Sequence, residues 1–157
     1  MSDFIREARH IGISVSNLEK SLIFYQKILG LKIQRSMDEK GDFISNILSY
    51  DNAHVKTVKL STDKGDTLIE LLEFINPKNN SKNTNIESIG ASHLAFTVEN
   101  LDENYKKLLK KGVKFKSNPQ ISPDGYAKVA FCLDPDEVSI ELVEVLNPDI
   151  LNSSKTD

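Results

Sequence analysis

The sequence predicts an α+β fold built from two βαβββ modules. One observation is that the string Ile-Glu-Leu-x-Glu occurs twice, at residues 69–73 and 140–144, each time inside a run of strand-forming residues. Another is that His10 and His93 open similar strands, each followed by an Asn-Leu pair and a helical pattern. Because these matches recur in one order along the chain, they indicate an internal repeat.

The first module is predicted over residues 8–76. Apolar residues alternate over 9–15, which predicts a strand with His10 on its less apolar face. Residues 16–19 have the Ser-x-x-Glu form of a capping box, and the helical pattern that follows ends at Gly30. The remaining strands are expected at 31–35, 54–61 and 67–75, with an irregular polar stretch at 36–52 that holds a short helical turn at 43–48.

A polar stretch at residues 77–88 is the predicted linker, and the second module is predicted over 89–146. Here the pattern restarts with a strand at 92–98 and a helix that begins at a cap around Asn100 and ends at Gly112. The later strands are expected at 113–116, 126–133 and 138–145, with a loop between the first two.

Composition excludes several classes of protein. The chain of 157 residues is 39% hydrophobic and 27% charged, with a net charge of −3 and no basic face suited to nucleic acid. It has no apolar run long enough for a membrane span and no signal peptide, so we expect a cytoplasmic protein. Cys132 is the single cysteine, which excludes an internal disulfide, and its apolar strand predicts a buried, inert thiol.

The repeat places two histidines and two glutamates at equivalent positions: His10, Glu70, His93 and Glu141. A carboxylate within an apolar strand costs several kcal/mol, or protonates, unless something binds it. Taken singly, each histidine would be a packed or surface residue and each glutamate an edge residue. Their occurrence in pairs favours a divalent metal site, whose donor set suits Zn, Ni, Co, Fe or Mn.

Three further residues are of interest in this pattern. Glu73 and Glu144 follow the candidate ligands in the opposite strand phase, so we expect them at a strand edge or end. His54 has no counterpart in the second module and is expected to be exposed.

The motifs at the two ends of the chain resemble one family. Residues 10–31, HIGISVSNLEKSLIFYQKILGL, and 133–142, LDPDEVSIEL, resemble the opening and the close of the vicinal-oxygen-chelate superfamily. Glu137 departs from the glycine usual there. The resemblance implies two modules whose strands curl into one cup-shaped mixed sheet, the glyoxalase/bleomycin-resistance fold, around a metal held by the four candidate ligands.

The resemblance also implies an activity. A divalent ion, with Zn, Ni or Co favoured over Fe or Mn, would polarise a substrate carbonyl, and Glu141 or Glu70 would act as the base. The leading hypothesis is a glyoxalase I-like lyase or isomerase. The alternatives are a methylmalonyl-CoA epimerase-like isomerase, an Fe/Mn dioxygenase, and a drug-binding resistance protein without catalysis.

The expected partner is a small-molecule substrate, and the family resemblance leaves a homodimer open. The loops at residues 36–52 and 116–126 would decide which substrate is bound, and they carry no interpretable motif. Tyr126 and Lys128 are candidate substrate contacts beside the second loop.

Overall fold

The computed structural model describes residues 5, 7–78, 81, 85–90 and 93–149. Its contacts divide the chain into two compact units, residues 1–81 and 82–157. Part of the predicted linker, residues 79, 80 and 82–84, lies outside the described residues, as does Ser92 at the start of a predicted strand. No helix in the described ranges is long and apolar enough to cross a membrane.

The first unit has the predicted βαβββ order, with the short helical turn that was expected at 43–48. Its elements are β1 (His10–Ser14), α1 (Leu18–Leu22), a π-helical continuation (Ile23–Ile28), β2 (Lys32–Lys40), α2 (Asp42–Leu48), β3 (His54–Ser61) and β4 (Leu68–Asn76). The sheet order is β1-β4-β3-β2, in which β1 and β4 are parallel and the other pairs antiparallel. Gly30 adopts a φ of 87°, which suits the glycine predicted to end the first helix.

The two faces of the first sheet differ in burial. One face is apolar and buried, and includes Ile13, Leu60 and Leu71. The opposite face carries His10 and Glu70 and is covered at its far end by α2, where Ile44 packs with Ala53, Val55, Leu72 and Phe74. On this face His10 is one-third exposed at its side chain, whereas Glu70 is nearly buried.

The second unit repeats this plan. Its elements are β5 (Leu94–Thr97), α3 (Leu101–Lys110), β6 (Lys114–Phe115), β7 (Gln120–Ile121), β8 (Ala127–Leu133) and β9 (Ser139–Val145). The sheet order is β5-β9-β8-β6, with β7 also paired to β8. As in the first unit, the opening and closing strands, β5 and β9, are parallel neighbours. The buried apolar residues include Leu94, Leu108, Cys132, Ile140 and Leu142.

Three local predictions were wrong. The N-cap of α1 is Asn17, whose Oδ1 accepts a hydrogen bond of 2.8 Å from the backbone of Lys20, so the capping box does not begin at Ser16. Strand β2 continues to Lys40, because its pairing with β3 extends from Lys32 to Lys40. The strand lies exposed at the sheet edge, so its residues show no apolar alternation from which this length could be predicted. The loop before Tyr126 contains β7, which is too short to produce a periodic signal.

Candidate functional site

The first candidate pair joins β1 to β4. His10 Nε2 lies 2.9 Å from Glu70 Oε2, and the Glu70 side chain is 10% exposed against 33% for His10. Lys59, the cross-strand neighbour of Glu70 on β3, places Nζ 3.2 Å from the other carboxylate oxygen. Glu70 is therefore a nearly buried carboxylate whose two oxygens are each held by a different side chain.

The second candidate pair joins the equivalent strands of the second unit. His93 Nε2 lies 3.1 Å from Glu141 Oε2, and the side chains are 40% and 21% exposed. The cross-strand neighbour of Glu141 is Phe131, whose ring packs edge-on against His93 with 5.6 Å between ring centroids. An aromatic ring thus occupies the position that Lys59 holds in the first unit.

The parallel pairing of the first and last strands explains why these residues meet. In the first unit Gly12 is in register with Glu70, and His10 lies two residues earlier on the same face. In the second unit Ala95 is in register with Glu141, and His93 again lies two residues earlier. The register thus places each histidine two residues from the position opposite its glutamate, on the same face of the sheet.

The structure brings the four predicted ligands together two by two. Across the described residues, no group of three or more His, Cys, Asp or Glu side chains is close enough to hold a metal ion. Each unit therefore presents one imidazole nitrogen beside one carboxylate oxygen, and a shared four-ligand site stays a prediction.

Glu73 and Glu144 have a role that the sequence did not predict. Both lie on central strands, so the expected edge position was wrong, although Glu144 does lie next to the end of β9. Glu73 Oε2 accepts a hydrogen bond of 3.3 Å from the backbone of Leu18, and Glu144 Oε2 accepts one of 3.1 Å from Leu101. Each carboxylate therefore caps the first turn of the helix in its own unit.

The helix-capping role of Glu73 and Glu144 could have been predicted from their place in the repeated string. Glu73 and Glu144 are the last residues of the duplicated Ile-Glu-Leu-x-Glu string, and their phase points them away from the candidate ligands towards the helix. Within each unit the string therefore supplies one carboxylate to the site and one to the helix that covers the opposite face.

The lesser candidates have partners of their own. His54 is only 27% exposed at its side chain, not freely exposed as expected, and its Nε2 lies 2.5 Å from Asp38 Oδ1. That hydrogen bond holds the pKa of Asp38 below its usual value.

Lys128 Nζ lies 2.6 Å from Asp102 Oδ2, a hydrogen bond that raises the lysine pKa. Tyr126 is half-buried, and its carbonyl accepts hydrogen bonds from Leu146 and Asn147.

Cys132 is fully buried in β8, as the sequence predicted. Burial in apolar surroundings raises its pKa to about 12, because the thiolate would lose its hydration. A thiol that stays protonated at neutral pH is a poor nucleophile and a poor metal ligand.

The fold and the paired donors define a protein of duplicated βαβββ modules with a candidate metal-ligand pair in each module. The chain belongs to the Glyoxalase/Bleomycin resistance protein/Dioxygenase superfamily, whose family model matches residues 8–142. This confirms the resemblance and the fold class that the sequence predicted.

Two relatives of the chain are named as lactoylglutathione lyases. The chain is 34% identical to a lactoylglutathione lyase of Schizosaccharomyces pombe over 85% of its own length, but it spans only 46% of that relative. It is 30% identical to a probable lactoylglutathione lyase of Synechocystis, covering 86% of this chain and 92% of that protein. Three further relatives of 27 to 30% identity are named only as uncharacterized proteins.

Among solved structures, a glyoxalase family protein of Bacillus cereus matches with a TM-score of 0.82. The match covers 94% of this chain and all of that one, at 20% identity. At this identity the likeness concerns the fold alone.

Proposed function

We propose that the protein is a metal-dependent lyase or isomerase of the glyoxalase I type, which moves a proton on the carbon next to a substrate carbonyl. His10, Glu70, His93 and Glu141 would together hold one divalent ion. The observation that carries the proposal is that each unit places an imidazole nitrogen about 3 Å from a carboxylate oxygen, on equivalent parallel strands. The pair occupies equivalent positions in both modules, beside the residue of the first strand that is in register with the glutamate.

The donor set fits such an ion. Histidine nitrogen and carboxylate oxygen are both donor atoms that bind zinc in proteins. In the two units these atoms lie 2.9 Å and 3.1 Å apart, so each pair could contribute two ligands to one ion. Imidazole with carboxylate also suits Ni and Co, and members of this family generally use a divalent metal.

When bound, the ion would supply Lewis-acid polarisation of the substrate carbonyl, which makes the neighbouring C–H more acidic. The protein's own residues would then move the proton. A carboxylate within hydrogen-bond reach accepts it from one carbon and returns it to the product, as general acid–base catalysis requires.

Of the two glutamates, we infer that Glu141 is the base and Glu70 the more firmly held ligand. Lys59 and His10 hold both oxygens of Glu70, so that carboxylate is fixed in place. Among the described residues, the polar side-chain partner of Glu141 is His93, and the strand next to it offers the apolar ring of Phe131. Glu141 therefore has more freedom to turn towards a substrate carbon.

The metal proposal is tested by elemental mass spectrometry on the full chain purified without added metal. We expect about one divalent ion per chain, lost or strongly reduced in His10→Ala and in His93→Ala. His54→Ala is the matched control, since His54 pairs with Asp38 instead of with a candidate ligand. Absence of metal even after incubation with Zn, Ni and Co would contradict the proposal, as would equal loss in all three variants.

The reaction is tested with a hemithioacetal substrate and, separately, with a 2-methylmalonyl thioester, using protein loaded with the metal found. Glu141→Gln should lower turnover by about 10²–10⁴-fold, the usual contribution of a general base, while metal content is largely kept. Glu70→Gln should lower metal content first. Turnover of neither substrate by loaded protein would refute the assignment to this reaction class.

A further inference from the structure

Lys59 is the residue that distinguishes the two candidate donor pairs. Glu70 is in register with Lys59 on β3, whereas Glu141 is in register with Phe131 on β8. The glutamates otherwise have matching surroundings, since a histidine nitrogen lies 2.9 Å from one and 3.1 Å from the other. The repeat therefore has a cation beside one candidate ligand and an aromatic ring beside the other.

The two oxygens of the Glu70 carboxylate have separate partners. Lys59 Nζ lies 3.2 Å from Oε1, and His10 Nε2 lies 2.9 Å from Oε2. The Lys59 side chain is 20% exposed and that of Glu70 is 10% exposed, so the ion pair is screened by water less than a surface pair. Lys59 thus binds Oε1, and Oε2 is the oxygen that lies next to the other candidate ligand of this unit.

The surroundings of Lys59 favour this single pairing. Arg35 on β2 is in register with Lys59 on the side away from Glu70, and a like charge there offers no alternative partner. Glu7 and Asp66 line the same cavity as Lys59. Among the described residues, however, the ammonium group of Lys59 forms its ion pair with Glu70.

We propose that Lys59 is a positioning residue that leaves Glu70 with one oxygen, Oε2, as a metal ligand. A carboxylate can give one oxygen or both to an ion, and it takes up one coordination position or two accordingly. Because Lys59 binds Oε1, Glu70 takes up one position. The inference rests on the proposed function, since it treats Glu70 as a ligand.

Two consequences follow for the proposed site. A coordination position that Glu70 does not fill stays open for a substrate oxygen, and an open position is what a catalytic metal site requires. The positive charge of Lys59 also repels a divalent cation bound to the same carboxylate, which lowers the affinity for the ion. Lys59 therefore weakens metal binding while it keeps a position open for substrate.

The test uses the full chain stripped of metal and then titrated with Co²⁺ in competition with a chromophoric chelator. The visible absorption of cobalt(II) weakens as its coordination number rises, so the spectrum of the loaded protein reports the number of ligands. We expect Lys59→Met to bind Co²⁺ at least about tenfold more tightly than the wild type and to absorb more weakly, because Oε1 is released and the repelling charge is removed.

Two further variants separate the charge of Lys59 from its hydrogen bond. Lys59→Arg keeps a charged donor and should restore the affinity and the spectrum of the wild type. Lys59→Gln removes the charge but keeps a donor for Oε1, so it should bind Co²⁺ more tightly with an unchanged spectrum. It also provides the test if circular dichroism shows that Lys59→Met does not fold.

Lys56→Met is the matched control, because Lys56 lies on the same strand but is in register with Glu73 instead of Glu70. It should match the wild type in affinity and in spectrum. Cobalt uptake with equal affinity and spectrum in wild type and Lys59→Met would overturn the inference and leave the proposed metal site standing. Weaker binding by Lys59→Met would also overturn it, since Lys59 would then support the ion. Failure of the wild type to bind cobalt would refute the proposed metal site and the role of Lys59 with it.

Discussion

Glu73 on β4 accepts a hydrogen bond from the backbone N–H of Leu18, the first residue of α1, across 55 positions of sequence. Glu144 repeats the contact with Leu101 at the start of α3. The contact ties the closing strand of each unit to its helix, and it satisfies one of the backbone donors that every helix leaves unpaired at its N-terminus.

Removing this cap should destabilise the protein. We expect Glu73→Ala to lower the free energy of unfolding by about 1 kcal/mol, within the range of N-terminal capping contacts, because a backbone donor and the positive end of the helix lose their acceptor. Glu144→Ala should cost at least as much, since Glu144 also lies 3.9 Å from Lys128. Urea denaturation of the two variants measures both effects.

The control for this prediction is Glu99→Ala, which removes an exposed carboxylate close to the start of α3. If a negative charge near the helix N-terminus stabilised the protein without the hydrogen bond, Glu99→Ala and Glu144→Ala would lower the free energy of unfolding equally. An unchanged urea midpoint in Glu73→Ala would show that the hydrogen bond contributes nothing to stability.

The sequence could predict the pairs of the candidate site because strand phase and repetition are both local signals. His10 falls on the less apolar side of an alternating pattern, Glu70 is a carboxylate inside an apolar strand, and the second copy repeats both features. The partners of Glu73 and the neighbours of Glu70 could not be predicted in the same way. They depend on which strands are adjacent and in which register, which alternation alone does not specify.

Lys59 shows this limit most clearly. From the sequence it is one of two lysines of opposite phase in a strand, and nothing indicates which of them lies on the face of the candidate ligands. Only the antiparallel register of β3 with β4 places Lys59 opposite Glu70 and Lys56 opposite Glu73.

Two buried serines should respond in opposite directions to loss of the hydroxyl. Ser139 is 1% exposed. Its buried Oγ has no hydrogen-bond partner among the described residues. Ser21 is fully buried, but its Oγ donates to the carbonyl of Asn17 at 3.1 Å. An unsatisfied buried hydroxyl costs free energy, whereas a satisfied one contributes a net gain.

We therefore expect Ser139→Ala to raise the free energy of unfolding by about 1 kcal/mol and Ser21→Ala to lower it by a similar amount. Chemical denaturation of both variants under one set of conditions provides the comparison. A fall in stability for Ser139→Ala would mean that its hydroxyl is bound in solution by a group other than the described residues.

Cys132 should be unreactive while the protein is folded. Its pKa is raised to about 12 by burial, so almost no thiolate exists at pH 8 and the sulfur is shielded from reagents. Iodoacetamide should modify it slowly in native protein and rapidly after denaturation in urea, which mass spectrometry would detect. Equal rates in both states would show that β8 opens readily.

The same pKa shift predicts a pH dependence of stability. The pKa is 9.0 in the unfolded chain and about 12 in the folded protein, so above pH 9 the unfolded state releases a proton that the folded state keeps. The free energy of unfolding should then fall by about 1.4 kcal/mol per pH unit from this group between these two values. Cys132→Ala should remove that part of the slope, and an identical slope in the variant would contradict the shift.

Lys59 and a bound metal ion should compete for Glu70. Without metal, Lys59→Met leaves a carboxylate that is only 10% exposed with His10 as its remaining partner, so we expect a loss of about 1–3 kcal/mol in stability. A divalent cation at the site would replace the missing charge, and binding to the folded state alone adds stability. The deficit of Lys59→Met relative to wild type should therefore shrink when zinc is present at saturating concentration.

Thermal or urea unfolding in EDTA and in excess zinc measures that difference, with Lys56→Met as the control on the same strand. Lys56 is exposed, and its substitution should change stability little and by the same amount in both conditions. A deficit for Lys59→Met that stays the same with and without zinc would mean that no cation reaches Glu70. The His10–Glu70 pair would then be a structural contact, and the metal would have to bind elsewhere.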